Sequence, residues 1–310
     1  MTYYDIIGDI HGHATELKEL LRKLGYRRSG YGFRHNERQI VFVGDFIDRG
    51  PEIAKVIEIA RATVEDGYGH AVMGNHEFNA IAFHTRLPGS NGFFRARSDK
   101  NQHQHVATLN QLSSLEMQDG LAWFKTLPVA LELDGIRVVH AAWQPNDIRK
   151  IECGLKDLGQ FTSDFLRSAL DRSNLLYQAI EKVLKGPEIP LPNCKPSLDE
   201  DGNKQFNMRV RWWMNAIGMT LREYAIKSGE GLPDDPVPEK YTREISAYSA
   251  SERPVFVGHY WLQGTPTPFA PNVACIDYSV AKNGKLCAYQ WRPGETALRA
   301  DRYVWVDAVN

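Results

Sequence analysis

Apolar and polar positions in the first third of the chain switch between two spacings. Tyr3 to Ile7 is a short strand-type run ending at Gly8, and from Thr15 onward Leu17, Leu20, Leu21 and Leu24 share one helical face. The order repeats. Ile40 to Val43 reads as a strand ending at Gly44, followed by Ile53, Val56, Ile57 and Ala60 at helical spacing from Glu52. Ala71 to Met73, Gly74 and an Ala- and Phe-rich segment give a third unit. Three β-loop-α units predict a parallel or mixed sheet covered by helices, with its polar chemistry at the carboxyl ends of the strands.

Leu87 to Gln104 carries no clear period and reads as an exposed excursion near those strand ends. Val129–Leu133 and Ile136–His140 are strand-like runs joined by Asp134-Gly135, a strong two-residue hairpin signal. From about Asn146 to Ala250 the pattern is mainly helical, broken by the three prolines between Gly186 and Lys195 and by a polar turn from Asp199 to Lys204. Strand character returns at Val255–Val257, Val273–Ile276, Leu286–Trp291 and Tyr303–Val306, with the turn Asn283-Gly284. The expectation is one domain over residues 1–310 with a helical insertion or cap at about 146–250.

At 310 residues, 43% of them hydrophobic, the chain has enough material for a core without covalent staples. Its 37 basic and 38 acidic residues leave no field that would draw it onto nucleic acid or an anionic membrane. Four cysteines without a CxxC pair read as reduced thiols. The amino terminus has no signal-type segment and no run is long enough to span a bilayer, so the expected location is the cytoplasm.

Three strand ends carry Gly8-Asp9-Ile10-His11-Gly12, Gly44-Asp45-Phe46-Ile47-Asp48-Arg49-Gly50 and Gly74-Asn75-His76-Glu77. Each places candidate ligands directly after a glycine, which permits a sharp turn out of the strand toward a common centre. Two nearby divalent ions need about five or six oxygen and nitrogen ligands, at least one bridging, and Asp, Asn and His supply them without thiolates. Later strand ends add His140 and His259, giving the set Asp9, His11, Asp45, Asn75, His140 and His259.

These motifs strongly resemble those of the calcineurin-like metallophosphoesterases, and within them the bacterial type of the phosphoprotein phosphatase branch, with GDxHG, GDxVDRG, GNHE and two later histidines. Ile47 stands at the Val position, and the likeness runs from Gly8 to about Asp277 with the helical segment interrupting it. The resemblance implies an α/β fold, the four-layer α/β/β/α sandwich, with Asp9 and His11 on a first metal, Asp45 bridging, and Asn75, His140 and His259 on a second. It implies His76 as general acid, Asp48 as the carboxylate orienting it, and Arg49 as a phosphate clamp. For a second phosphate-binding arginine, Arg211 is the choice and Arg209 the reserve. Where the wider superfamily has a further ligand in GHxH, this chain has Trp261, which leaves the first metal to be completed by water.

The expected activity is metal-dependent hydrolysis of phosphomonoesters, on a phosphoprotein or a small phosphorylated molecule, by a water activated between two ions. Mn²⁺ is the first choice, with Fe or Zn fitting the same residues. The enzymatic alternative is symmetrical cleavage of dinucleoside tetraphosphates. A non-catalytic phosphate-binding scaffold would show a missing ligand, and none is missing. His13, His35, His70, His84, His103 and His105 read as exposed or packing histidines, though His103 and His105 lie where substrate contact is conceivable. The EF-hand-like Asp199–Asn203 has its glycine too early and Val210 in place of the bidentate Glu. Trp212, Trp213 and Trp261 read as packing residues, and Asp277 as a neighbour of the ligands.

Overall fold

In a computed structural model the chain is described at residues 2–191, 197–198, 204–226 and 232–309. Strand β1 (Tyr3–Ile7) is followed by helix α1 (Ala14–Lys23), β2 (Arg38–Phe42) by α2 (Ile53–Glu65), and β3 (Gly69–Ala71) by α3 (Asn75–His84). β1 pairs in parallel with β2, and β2 with β3. After α4 (Asp99–Gln111) and α5 (Ser114–Phe124) comes the antiparallel hairpin β4 (Ala130–Leu133) and β5 (Ile136–Val139). Helices α6 (Pro145–Leu158), α7 (Ser163–Leu170) and α8 (Leu175–Lys185) follow. The chain then returns through β6 (Val255–Val257), β7 (Val273–Cys275), β8 (Asp277–Tyr278), β9 (Lys285–Trp291) and β10 (Tyr303–Asp307).

The strands form two main sheets. One runs β8-β9-β1-β2-β3, with β10 also on β9, and the other runs β7-β6-β5-β4. Side-chain alternation explains why they stack. Tyr4, Ile6, Val41 and Val43 on one sheet and Ile136, Val138, Phe256 and Ala274 on the other form a buried cluster between them. The opposite faces, with Ile7, Ile40 and Phe42 on one side and Val139, Val255 and Val257 on the other, join the larger core that holds the helices' apolar stripes. Leu17, Leu20 and Leu21 of α1 are fully buried in it, as are Ala179, Ile180, Val183 and Leu184 of α8 to within 2%. The result is an α/β sandwich of the kind the resemblance implies, helices outside and two sheets within.

Two expectations change. The excursion at 87–104 is irregular only in its first part: Ser98 caps α4 by accepting a hydrogen bond from the Asn101 amide, and the helix runs to Gln111. Its buried residues are His105 and Thr108, so no apolar period announced it. The segment 146–250 is helical through Lys185, but beyond it Glu188–Pro190 pairs with Asn207–Arg209 as an antiparallel ribbon, and the helices that follow among the described residues are the short Leu221–Tyr224 and Glu239–Glu244. The EF-hand-like Asp199–Asn203, Cys194 and the end of the proline-rich stretch from Pro192 lie outside the described residues. Cys153, Cys275 and Cys287 are free thiols.

Candidate metal centre

The carboxyl ends of β1, β2 and β3 in one sheet and of β5 and β6 in the other meet at a single point, and the glycine-led turns close there. Among the described residues nine non-glycine positions have positive φ, and six of them, His11, Asp45, Asp48, Arg49, His259 and Trp261, belong to these turns. Such conformations cost an L-residue roughly 1–2 kcal/mol each and concentrate where the surrounding structure dictates side-chain direction. Two glycines show the tightness of the construction. Gly44 has φ +97°, and a Cβ there would lie 2.5 Å from the Gly74 nitrogen; at Gly258 a Cβ would lie 2.0 Å from Asp9 Oδ1. Glu77 ties the turns together, since its buried carboxylate accepts from the amides of Asp45, Phe46 and Gly74.

Asp45 Oδ2 is the centre of the cluster. His140 Nε2 is 3.3 Å away, His11 Nε2 3.6 Å and His76 Nε2 4.0 Å. His11 and His140 each donate their Nδ1 proton to a backbone carbonyl, of Ile47 and Val43 respectively, which turns Nε2 inward. Asn75 Oδ1 lies 3.1 Å from His140 Nε2. Asp9 Oδ2 accepts from the His259 amide, leaving Oδ1 facing the centre. Asp9 Oδ1, His11 Nε2 and His259 Nε2 are buried polar atoms without a hydrogen-bond partner. Orphaned lone pairs converging on one point are expensive unless a cation satisfies them. Two overlapping groups of donor atoms lie close enough together to hold an ion, His11 with Asp45 and His76, and Asp45 with His140 and His259, so Asp45 is the shared member; His76 differs from the others in sitting at the rim and bonding Asp48 through Nδ1. The six residues named from the sequence are thus all present at one centre.

The titration behaviour has the same cause. Burial, then His76, pushes His11 down to about 3, and burial with Arg209 nearby holds His259 well below its ordinary value. Burial also raises Asp9, with Asp277 adding to it. For Asp45 burial works upward but is outweighed by His140, His76 and His11, so it stays ionised. Burial likewise opposes charge on His140, yet Asp45 and Asp9 carry it up to about 10. His11 and His259 are thus held neutral with Nε2 lone pairs free beside the ionised Asp45.

His76 stands at the edge of the cluster, its Nδ1 2.5 Å from Asp48 Oδ2. Burial lowers its proton affinity, but Asp45 and Asp48 outweigh that and raise it. Arg49 stacks over Trp261, 4.4 Å from the ring centroid, and that ring also packs 5.5 Å from His11. Trp261 is therefore a wall of the site, not only a packing residue as its sequence suggested. Its amide donates to Asp277 Oδ2, which makes Asp277 a support for the wall.

Arg211 is not brought to the centre. Its Nε donates to the Ala225 carbonyl, whereas Arg209 reaches the His259 carbonyl at 3.5 Å and electrostatically depresses His259. Arg209 ends the ribbon strand and Arg211 lies beyond it, with buried Val210 between them. Of the histidines set aside, His13, His35 and His70 bond locally and His103 is exposed. His105 is different: it is buried and its Nδ1 lies 2.7 Å from Asp48 Oδ1. No sequence period marks it, since its helix buries polar residues.

A family model described as calcineurin-like phosphoesterase matches residues 4–179. The chain is 51% identical over 73 residues to the asymmetrical bis(5'-nucleosyl)-tetraphosphatase PrpE of Oceanobacillus iheyensis, covering 23% of this chain and 29% of that one. It is 34% identical over 158 residues to the PrpE of Halalkalibacterium halodurans, covering 47% of this chain and 59% of that one. The chain thus spans less than two thirds of the length of the curated relatives it matches. In fold it is similar to a Saccharomyces cerevisiae protein serine/threonine phosphatase with similarity to human PP5, at a TM-score of 0.52 and 14% identity, covering all of this chain and 80% of that one. Among the described residues no helix is long and apolar enough to cross a membrane.

Proposed function

The chain belongs to the calcineurin-like phosphoesterases, hydrolases of phosphoester bonds, and from that premise we propose that it hydrolyses phosphomonoesters at a centre whose residues would hold two divalent ions, with Asp45 common to both. The observation that carries the reading is the convergence on Asp45 Oδ2 of His11 and His140 Nε2, with Asp9 Oδ1 and His259 Nε2 buried and unsatisfied beside it. Asp9 and His11 would hold one ion and Asn75, His140 and His259 the other, and Mn²⁺ would suit this mixed oxygen and nitrogen set. When bound, the ions supply a water of lowered pKa and positive charge for the phosphoryl oxygens.

The chain's own residues do the rest. Arg49, fixed on Trp261, and Arg209, beside His259, face the phosphoryl group. As the water oxygen bonds to phosphorus and the P–O ester bond breaks, His76 Nε2 gives its proton to the departing oxygen. Asp48 holds the other ring nitrogen and stabilises the protonated ring. A built proton donor favours an ester with an alcohol leaving group, such as a phosphorylated serine or threonine, because an alkoxide leaves only when protonated.

The PrpE relatives favour a second reading, hydrolysis of dinucleoside tetraphosphates, and by their names asymmetrical cleavage rather than the symmetrical cleavage expected from the motifs. Turnover of p-nitrophenyl phosphate, a phosphothreonine peptide and diadenosine tetraphosphate, with and without Mn²⁺, tests both. Metal-dependent peptide hydrolysis that falls about a hundredfold or more in His76→Asn supports the first reading. Preference for the tetraphosphate supports the second, and failure of the metal-loaded protein on all three refutes both.

A further inference from the structure

Helix α4 presents a polar face to the turn that carries Asp48 and Arg49. Thr108 Oγ1 donates to Asp48 Oδ1 at 2.5 Å and accepts from the Asp48 amide at 3.0 Å. His105 Nδ1 donates to the same carboxylate oxygen at 2.7 Å. One helical turn on, Gln111 donates to the Gly50 carbonyl and accepts from the Ile53 amide. The helix therefore clamps residues 48–53 along their length, including the two successive positive-φ residues Asp48 (+67°) and Arg49 (+70°).

The chain of contacts extends outward. His105 Nε2 lies 3.1 Å from His84 Nε2, so one of the two must donate. Burial, then His105 and Arg97, lowers His84 to about 4, which keeps it neutral. With His105 Nδ1 donating to Asp48, the contact with His84 holds the far edge of the His105 ring, whichever of the two Nε2 atoms carries the shared proton. Asp48 then accepts from His76 on one oxygen and from His105 and Thr108 on the other, with no freedom to rotate.

We propose that His105 is a positioning residue for phosphoryl transfer: held by His84 on its outer edge, it locks Asp48 and so aims His76 at the leaving-group oxygen. The inference rests on His76 as the proton donor. A buried histidine that merely stabilises the fold would lower all activities alike, whereas a residue acting through His76 matters most where the leaving group needs a proton.

The test is kcat and KM for 4-nitrophenyl, phenyl and alkyl phosphates with the Mn²⁺-loaded full chain, as wild type, His105→Ala, His105→Asn, His105→Gln and His76→Asn. His105→Ala is expected to lose about tenfold or more in kcat on the phenyl and alkyl esters, with far less loss on 4-nitrophenyl phosphate and KM little changed. His105→Asn, whose amide replaces Nδ1–H, recovers most of that loss, and His105→Gln, whose amide lies at the Nε2 position, does not. Added to His76→Asn, His105→Ala costs nothing further. Should the alanine variant fail to fold, the Asn and Gln pair carries the same comparison. Equal losses on all leaving groups, no loss, or additivity with His76→Asn overturns the proposal while leaving the hydrolase reading intact. Absence of metal-dependent turnover by wild type on any ester removes both.

Discussion

Gly258→Ala perturbs the centre without touching the chemistry of any ligand. Gly258 does not occupy the left-handed region, so alanine is acceptable to the backbone, and the only obstacle is space. The new Cβ would meet Asp9 Oδ1 at 2.0 Å and Val43 Cγ2 at 2.8 Å, distances that real Cβ atoms essentially never show. The Asp9 carboxylate must retreat by about 1 Å, several times the ~0.2 Å tolerance of a metal–ligand distance. Displacement on that scale costs on the order of 10²-fold in rate, while overpacking a buried turn costs about 1–3 kcal/mol of stability. Gly120→Ala in α5 is the control, since its Cβ would meet nothing closer than 3.7 Å. The assay is kcat/KM across a Mn²⁺ titration, with thermal unfolding alongside. Gly258→Ala is expected to need more metal and to turn over slowly even when saturated, with Gly120→Ala unchanged. A folded Gly258→Ala with near-wild-type turnover and metal dependence would refute Asp9 as a ligand.

Arg209→Ala is expected to lose about 10- to 100-fold in kcat/KM, the worth of a charge-assisted contact, and Arg211→Ala to remain near wild type; steady-state kinetics on one ester decides. Asp5→Ala should cost about 3–5 kcal/mol in a denaturant melt, because buried Asp5 accepts two bonds from Arg38 and one from Tyr26, yet spare the activity of the folded fraction. In the metal-free protein His140 titrates at about 10, raised from its usual value, so at neutral pH it carries a proton that an ion must displace. Mn²⁺ affinity should therefore rise with pH through the neutral range, with a proton released on binding, as calorimetry in buffers of different ionisation enthalpy would show. Affinity that is flat from pH 6 to 9 would contradict that assignment.

Much of the centre was readable from the sequence because the residues brought together there follow strands of ordinary β pattern, several of them directly after glycines whose need is steric. The paired sheets were readable for the same reason: Tyr4, Ile6 and Val41 alternate with Ile7, Ile40 and Phe42, and each set faces a different layer. Helix α4 was not, since a helix recognised by its apolar stripe is invisible when its buried face is His105 and Thr108. Arg211 was the choice over Arg209 in sequence, but which arginine nears His259 depends on the pairing of Asn207–Arg209 with Glu188–Pro190, a contact made after the chain has folded back. Trp261 drew attention only as a missing ligand, and its partnership with Arg49 arises from residues 212 positions apart.

The most direct test of the account is the metal content of wild type and Asp45→Asn, by elemental analysis after Mn²⁺ loading and desalting, with ester hydrolysis measured on the same samples. Wild type is expected to hold two ions per chain, with activity appearing as they load, and Asp45→Asn, deprived of the shared carboxylate, to lose both the ions and the activity. Full retention of metal and turnover in Asp45→Asn, or hydrolysis by a wild-type protein stripped of metal, would contradict the bridged centre.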